Sequence, residues 1–275
     1  MSNAAHNLIR SARYELIPLK SLTEQLQYLP QGSSVSVTCS PAKGIEATLD
    51  LTADLLARGH HAVPHIAARL VEGQEHVEKI AARLAESNVS EIFIVGGDPD
   101  PVGPYSDGLS LMRDLLPVAT SLRTVGFPSY PDHHTVIADD LLDQAIMDKQ
   151  QFIDSLGLAS FTSTQMCFDP KTITTWLERQ RALGFTVPVH IGVPGAVERA
   201  RLLNLGVRLG IGSSLRYLRK NSGAIMRVFS PKGYDPSTLI QPLSKRSEQL
   251  GISGLHLFTF NSVQATAEWQ RKVLG

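Results

Sequence analysis

Short β-branched runs alternate along the chain with longer stretches whose apolar residues recur every three or four positions. The short runs are 13–17 (RYELI), 34–38 (SVSVT), 62–66 (AVPHI), 91–95 (EIFIV), 124–127 (TVGF), 159–165 (ASFTSTQ), 187–193 (VPVHIGV) and 254–259 (GLHLFT). Their length and composition predict strands. Between them, residues 46–59 and 74–88 read as helices, and in the second Val77, Ile80, Ala81 and Leu84 fall at i, i+3, i+4 and i+7 and make one apolar face. The stretch 169–184 opens on a capping Asp169 with Pro170 in the first turn and closes on Gly184, as a helix should.

Alternating strands and helices imply a parallel sheet with helices outside it. Eight such units in 275 residues predict an α/β fold of the closed (β/α)8 type, a TIM barrel, as a single domain over residues 1–275. An open doubly wound sheet is the alternative that the pattern leaves. The segment 201–250 is longer than one barrel helix needs, which predicts extra helices before the last strand and a loop over the barrel mouth. No internal repeat or low-complexity segment interrupts the pattern.

Charge narrows the range of partners. Lys and Arg number 26, Asp and Glu also 26, and this balance provides no basic face for nucleic acid. No apolar run is long enough to span a bilayer, and the opening MSNAAHNLIR lacks the apolar centre of a signal peptide. Two cysteines, Cys39 and Cys167, make neither a disulfide framework nor a metal-binding spacing. The expectation is a soluble cytoplasmic protein with neither a nucleic-acid nor a membrane partner; a homo-oligomer is compatible with it.

In a barrel the C-terminal strand ends form the active face. The polar residues there are Glu15, Thr38, His65, Asp98, Ser129, Tyr130, Gln165 and Asn261. Thr38 and His65 could simply end strands with a satisfied hydrogen bond, and Asp98 could be a turn residue or helix cap. Glu15 is different, because it sits between Tyr14 and Leu16 in an otherwise apolar strand. A carboxylate facing a core is costly unless it is paired, protonated or used. The stretch VGGDPDPVG has neither the G-x-G-x-x-G spacing of a dinucleotide loop nor the Lys-Ser/Thr of a P-loop. His60, His61, His65, His133 and His134 come without H-E-x-x-H or paired Cys, so spacing predicts no metal site. Neither thiol carries a mark of activation.

Taken in order, the strand ends resemble those of the methylenetetrahydrofolate reductase family. YELIP resembles its first strand, an aromatic-Glu-aromatic-aromatic-Pro stretch, and SVSVT its second, ending in Thr. AVPHI resembles the third with Pro-His, GGDPDP the fourth with Gly-Asp, and GFPSYPDHH a Tyr-Pro…His-Pro-Glu stretch. STQMCFD resembles Thr-Gln-(aromatic)3-Asp, and LHLFTFN the last strand with Tyr-Thr-Leu-Asn. The resemblance runs from about residue 13 to the C-terminus and implies the same barrel.

The resemblance also implies a reaction, the reduction of 5,10-methylenetetrahydrofolate to 5-methyltetrahydrofolate with electrons from NADH or NADPH. A general acid must protonate the leaving nitrogen of the five-membered ring, and a carboxyl in apolar surroundings holds its proton readily near neutral pH. Glu15 stands where the family's acid stands. Asp98, Gln165, Phe258 and Asn261 match positions that face the folate, with Phe258 replacing a Tyr. Thr38, His65, Gly97, Phe127 and Tyr130 match the cofactor side. Family members typically hold FAD, but here the Arg before Gly-Asp is Gly96, the Tyr of Tyr-Pro is Phe127, a His is replaced by Tyr130, and only Lys149 could stand for a basic pair on the next helix. Losing cationic phosphate contacts costs affinity. Direct hydride transfer from NAD(P)H without flavin is therefore the expectation. An FAD-containing reductase, or a related methylene-tetrahydropterin reductase or methyl-folate oxidase with another carrier, is the alternative.

Overall fold

The structure, a computed structural model, describes residues 1–197, 229–230 and 233–275. Its barrel strands are β1 (Arg13–Leu16), β2 (Ser34–Val37), β3 (His61–Ala67), β4 (Glu91–Val95), β5 (Thr124–Ser129), β6 (Ala159–Thr164), β7 (Val189–Pro194) and β8 (Ile252–Phe258). They close in the order β1-β8-β7-β6-β5-β4-β3-β2. Every barrel pairing is parallel. The helices are α1 (Asn3–Arg10), α2 (Gly44–Ala57), α3 (Gln74–Glu86), α4 (Gly108–Val118), α5 (Asp139–Ser155), α6 (Pro170–Ala182), α7 (Ser237–Ser244), α8 (Ser247–Leu250) and α9 (Val263–Leu274). The (β/α)8 barrel expected from the pattern is the fold. The extra helices are α7 and α8, whereas residues 198–228 and 231–232, where the loop over the mouth was expected, lie outside the described residues.

Local chemistry sets the element ends. Asp107 caps α4 by accepting from Leu109 N at 2.8 Å and Ser110 N at 3.0 Å. Asp169 caps α6 in the same way through Lys171 N, with Pro170 at the first helical position. Helix α1 was not expected. It is short, capped by Ser2, and buries Ala5, Leu8 and Ile9.

Strand alternation sorts the interior into two regions. Tyr14, Leu16, Val35, Val37, Ile66, Ile92, Ile94, Val125, Phe127, Ile191, Val193, Leu255 and Leu257 join the large apolar layer between sheet and helices. Inside the bore, Val63, Phe93 and Phe161 form a separate small cluster. Most of the other inward positions are polar or bare. Arg13, Glu15, Ser36, His65, Ser163, His190 and His256 share the inward face with Gly126, Gly192 and Gly254. The glycines give the rings room. A Cβ on Gly126 would run into the Phe161 and Phe93 rings, and one on Gly254 would lie 2.9 Å from the His190 ring.

The first and last strands pair along Arg13–Glu15 and His256–Phe258, and side chains tie the flanking helices to this seam. Tyr14 donates to Gln270 Oε1 at 2.6 Å, and Gln270 Nε2 donates to the Ile9 carbonyl at 2.6 Å. Gly126→Ala is expected to overpack the bore and lower unfolding stability by about 1–3 kcal/mol, read as a shift in the urea midpoint. An unchanged midpoint would mean that the two phenylalanine rings are free to move aside.

Candidate functional site

The bore is built in layers. At the N-terminal end, Arg13 Nη2 lies 2.7 Å from Glu91 Oε1, Arg13 Nε donates to Ser34 Oγ at 3.0 Å, and the guanidinium sits 4.8 Å from the Phe161 ring centre. The charge is matched, hydrogen-bonded and stacked, which is how a buried cation is tolerated. Two residues further along β1 comes Glu15. Its Oε2 lies 2.9 Å from Nε2 of His256 on β8, a contact that needs one proton on one of the two atoms. Both residues are buried, at 8% and 2% exposure. His65 from β3 completes the group, with one ligand-type atom of Glu15, His65 and His256 all within 4.8 Å of one another.

Rings surround this trio. His65 lies 4.6 Å from Phe93, Phe93 5.7 Å from Phe161, Phe161 5.1 Å from His190, and His256 5.0 Å from Phe258, centre to centre. Five buried polar atoms here have no protein partner: His65 Nε2, His190 Nδ1, His256 Nδ1, Ser36 Oγ and Ser163 Oγ. Burial, then the neighbouring His256 and Arg13, hold His65 well below the ordinary imidazole value. Burial, then Arg13 and His256, push His190 down to about 3. Both rings are therefore neutral at neutral pH.

Of the residues expected at the site, the structure brings Glu15 and His65 together. Phe258 flanks them, half-buried against the His256 ring. Thr38 follows β2 directly; its N–H donates to Leu16 O at 2.9 Å and its carbonyl accepts from Thr48 Oγ1 at 3.1 Å. Asp98 is exposed in the loop after β4. Burial and then Asp98 raise the hydroxyl of Tyr130, whose ring meets His134 edge-on at 4.9 Å. Gln165 accepts from Met166 N at 2.8 Å through Oε1, so its NH2 end is the part left to offer. Gly97 sits at φ 97°, where a side chain would be strained and would meet Ala67 and Arg69.

Two expectations give way to structural roles. Phe127 does not face the mouth. Alternation puts Gly126 inside and turns Phe127 outward, fully buried, 6.3 Å from the Phe185 ring and 5.8 Å from Lys149 Nζ. Asn261 does not present its amide to a ligand. Its Nδ2 donates to Ile17 O and its Oδ1 accepts from Ile17 N, both at 2.9 Å, which fastens the end of β1 to the chain after β8. Thr259 Oγ1 adds a hydrogen bond to the Glu15 carbonyl.

His256, Arg13, Glu91, His190 and Arg69 were missed as site residues. For three of them a signal was present: period two places Arg13 with Glu15, and His256 with Phe258, on one face, and His190 lies in a strand of small and branched residues. Arg69 had no such signal. Its guanidinium reaches over the loop after β4, donating to Ser106 O at 2.8 Å and Gly97 O at 3.3 Å.

No family model matches the chain. Over 204 residues, 70% of this chain, the sequence is 22% identical to methylenetetrahydrofolate reductase 1 of Schizosaccharomyces pombe (strain 972 / ATCC 24843). The match takes in 32% of that protein, so the chain spans about a third of the length of the curated relative it matches. Among solved structures, the CutC protein from Streptococcus agalactiae is similar with a TM-score of 0.42 and 16% identity, over 72% of this chain and 94% of that one. A family 18 chitinase from Crocus vernus gives a TM-score of 0.48 and 8% identity, over 96% and 100% of the two chains.

The neutral His190 makes stability depend on pH. From its ordinary value of 6.5 down to about 3, the unfolded chain binds a proton at this residue and the native chain does not. Stability from this group is therefore present above 6.5 and lost as pH falls toward about 3. His190→Phe removes the term. Between about pH 6 and 4, its unfolding free energy should fall less steeply than that of the wild type, by about 1.4 kcal/mol per pH unit. Urea titrations across that range give the slopes; equal slopes would show that His190 takes a proton in the native state.

Proposed function

We propose that this chain is an oxidoreductase of reduced folates that converts 5,10-methylenetetrahydrofolate to 5-methyltetrahydrofolate with hydride from NADH or NADPH. One observation carries the reading: a buried carboxyl, Glu15, opens on the bore with its Oε2 held by His256, at the position where the resembling family keeps its acid. The sequence similarity to a named methylenetetrahydrofolate reductase supports the same substrate class.

The step runs as follows in this reading. The Glu15 carboxyl gives its proton to the ring nitrogen that leaves. The bond from that nitrogen to the bridging methylene breaks, and its electron pair stays on nitrogen. The methylene becomes an iminium carbon, which accepts hydride from the nicotinamide, and NAD(P)+ departs. The sum consumes one proton and one hydride. The His256 contact holds the carboxyl in one orientation before transfer, so less has to be ordered in the transition state. Phe258 offers a ring face to the pterin. Asp98 at the rim and the free amide end of Gln165 suit the donors and acceptors on the pterin's amino-pyrimidinone edge.

Three features of the described residues support the flavin-independent reading. Phe127 is turned away from the mouth, Gly96 offers no side chain, and the Arg69 guanidinium is already engaged by Ser106 and Gly97 carbonyls. The hydride donor in this proposal is therefore NAD(P)H itself. Purified protein should lack a flavin absorption band and oxidise NADH or NADPH with methylenetetrahydrofolate without added flavin. Bound yellow cofactor, or activity that appears only on adding FAD, contradicts this.

Glu15→Gln keeps the side chain's shape and can still contact His256, but it has no proton to deliver. The expected loss falls on kcat, by about 10²–10⁴-fold, with melting temperature and substrate affinity little changed. A well-folded variant with near-normal kcat would remove Glu15 from the role of acid.

A further inference from the structure

The trio at the centre of the bore has a second chemistry. Two imidazoles and one carboxylate are the donor set that zinc takes in open three-ligand sites, with a fourth position left for water or substrate. The same set holds other divalent transition ions. We propose that Glu15, His65 and His256 bind one divalent transition-metal ion of the zinc type.

Three observations carry the inference. The donors converge: one ligand-type atom from each residue lies within 4.8 Å of the others, and tetrahedral coordination with bonds of about 2.1 Å asks for separations of about 3.4 Å. Glu15 Oε2 and His256 Nε2 already stand 2.9 Å apart, and side-chain rotation can supply the adjustment of the three atoms to that spacing. One donor is unspent, for His65 Nε2 is buried without a protein partner in a residue only 6% exposed. The frame is rigid, because the three side chains stand on β1, β3 and β8 of the closed barrel. Surface pairs such as His76 with Glu46 and His133 with Asp139 bring together only two groups each, and three of these four side chains are exposed.

The ion would replace a hydrogen bond. Glu15 Oε2 and His256 Nε2 lie 2.9 Å apart, and a cation bound by both atoms takes up the lone pairs that this contact uses. Metal binding and proton donation by Glu15 are then mutually exclusive. The binding claim stands whether or not the folate reading holds; its consequence within that reading is reversible inhibition.

The test starts from chelator-treated wild-type protein. Titration with cobalt(II) should produce a visible d–d band that saturates at one equivalent and is displaced by zinc(II). X-ray absorption on the zinc-loaded wild type should count two imidazole nitrogens and carboxylate oxygen. His65→Ala and His256→Ala should each weaken binding by about 100-fold or more, while His76→Ala and His133→Ala leave it unchanged. Absence of binding overturns the proposal, as does binding that survives His65→Ala or a coordination shell without two imidazoles. The wild-type absorption measurement decides the matter even if a histidine variant fails to fold. Metal binding without folate reduction would sink the proposed function and keep this inference. Undiminished reductase activity in protein that holds zinc on these three residues would keep this inference and remove Glu15 from the role of acid.

Discussion

The hydrogen bond between Glu15 and His256 is the contact on which the barrel's interior depends. An unpaired carboxylate in the bore would cost several kcal/mol, and a lone buried imidazole has little to do. Together they satisfy one oxygen and one nitrogen at 2.9 Å. The surrounding design follows from that pairing. His65 and Phe258 close around it as rings, and glycines on β5, β7 and β8 leave room for the Phe93, Phe161, Phe258 and His190 rings. Below, Arg13 and Glu91 form a second matched pair, so the guanidinium is not left alone. A bore that usually fills with branched apolar side chains is here polar through its middle.

The outer loops show the same economy of contacts. Asp98 itself is exposed, yet the loop that carries it is fastened by one arginine. Arg69 reaches Ser106 and Gly97 through its guanidinium, while its backbone N–H meets Gly96 O at 2.9 Å and its carbonyl accepts from Val102 N at 3.0 Å. The rim on the β4 side is thus positioned from β3.

Much of this could be read along the chain, and the misses have physical reasons. Strands declared themselves because branched residues recur with period two, and the barrel followed from counting them. Glu15 stood out because a charge inside an apolar strand needs a reason. His256 did not, since a histidine in GLHLFT is unremarkable until its partner is known, and that partner is 241 residues away. Phe127 was assigned to the mouth by likeness of motif, although Gly126 beside it already occupies the inward position. Asn261 was assigned in the same way, but its amide matches the spacing of the Ile17 backbone groups and is taken up there. Helix α1 was overlooked because eight residues give too little periodicity to see.

The seam has a consequence for the making of the protein. Glu15 belongs to the first strand of the barrel and His256 to the last, and the side-chain contacts from β1 to the chain after β8, Tyr14 to Gln270 and Ile17 to Asn261, span 256 and 244 residues. Pairings so distant in sequence are slow to form and come late. A nascent chain that has folded its first seven strands still lacks the partner of its buried acid. Assembly of the Glu15–His256 pair therefore coincides with closure of the barrel, and a partly synthesised molecule lacks this contact however much of its sheet is in place.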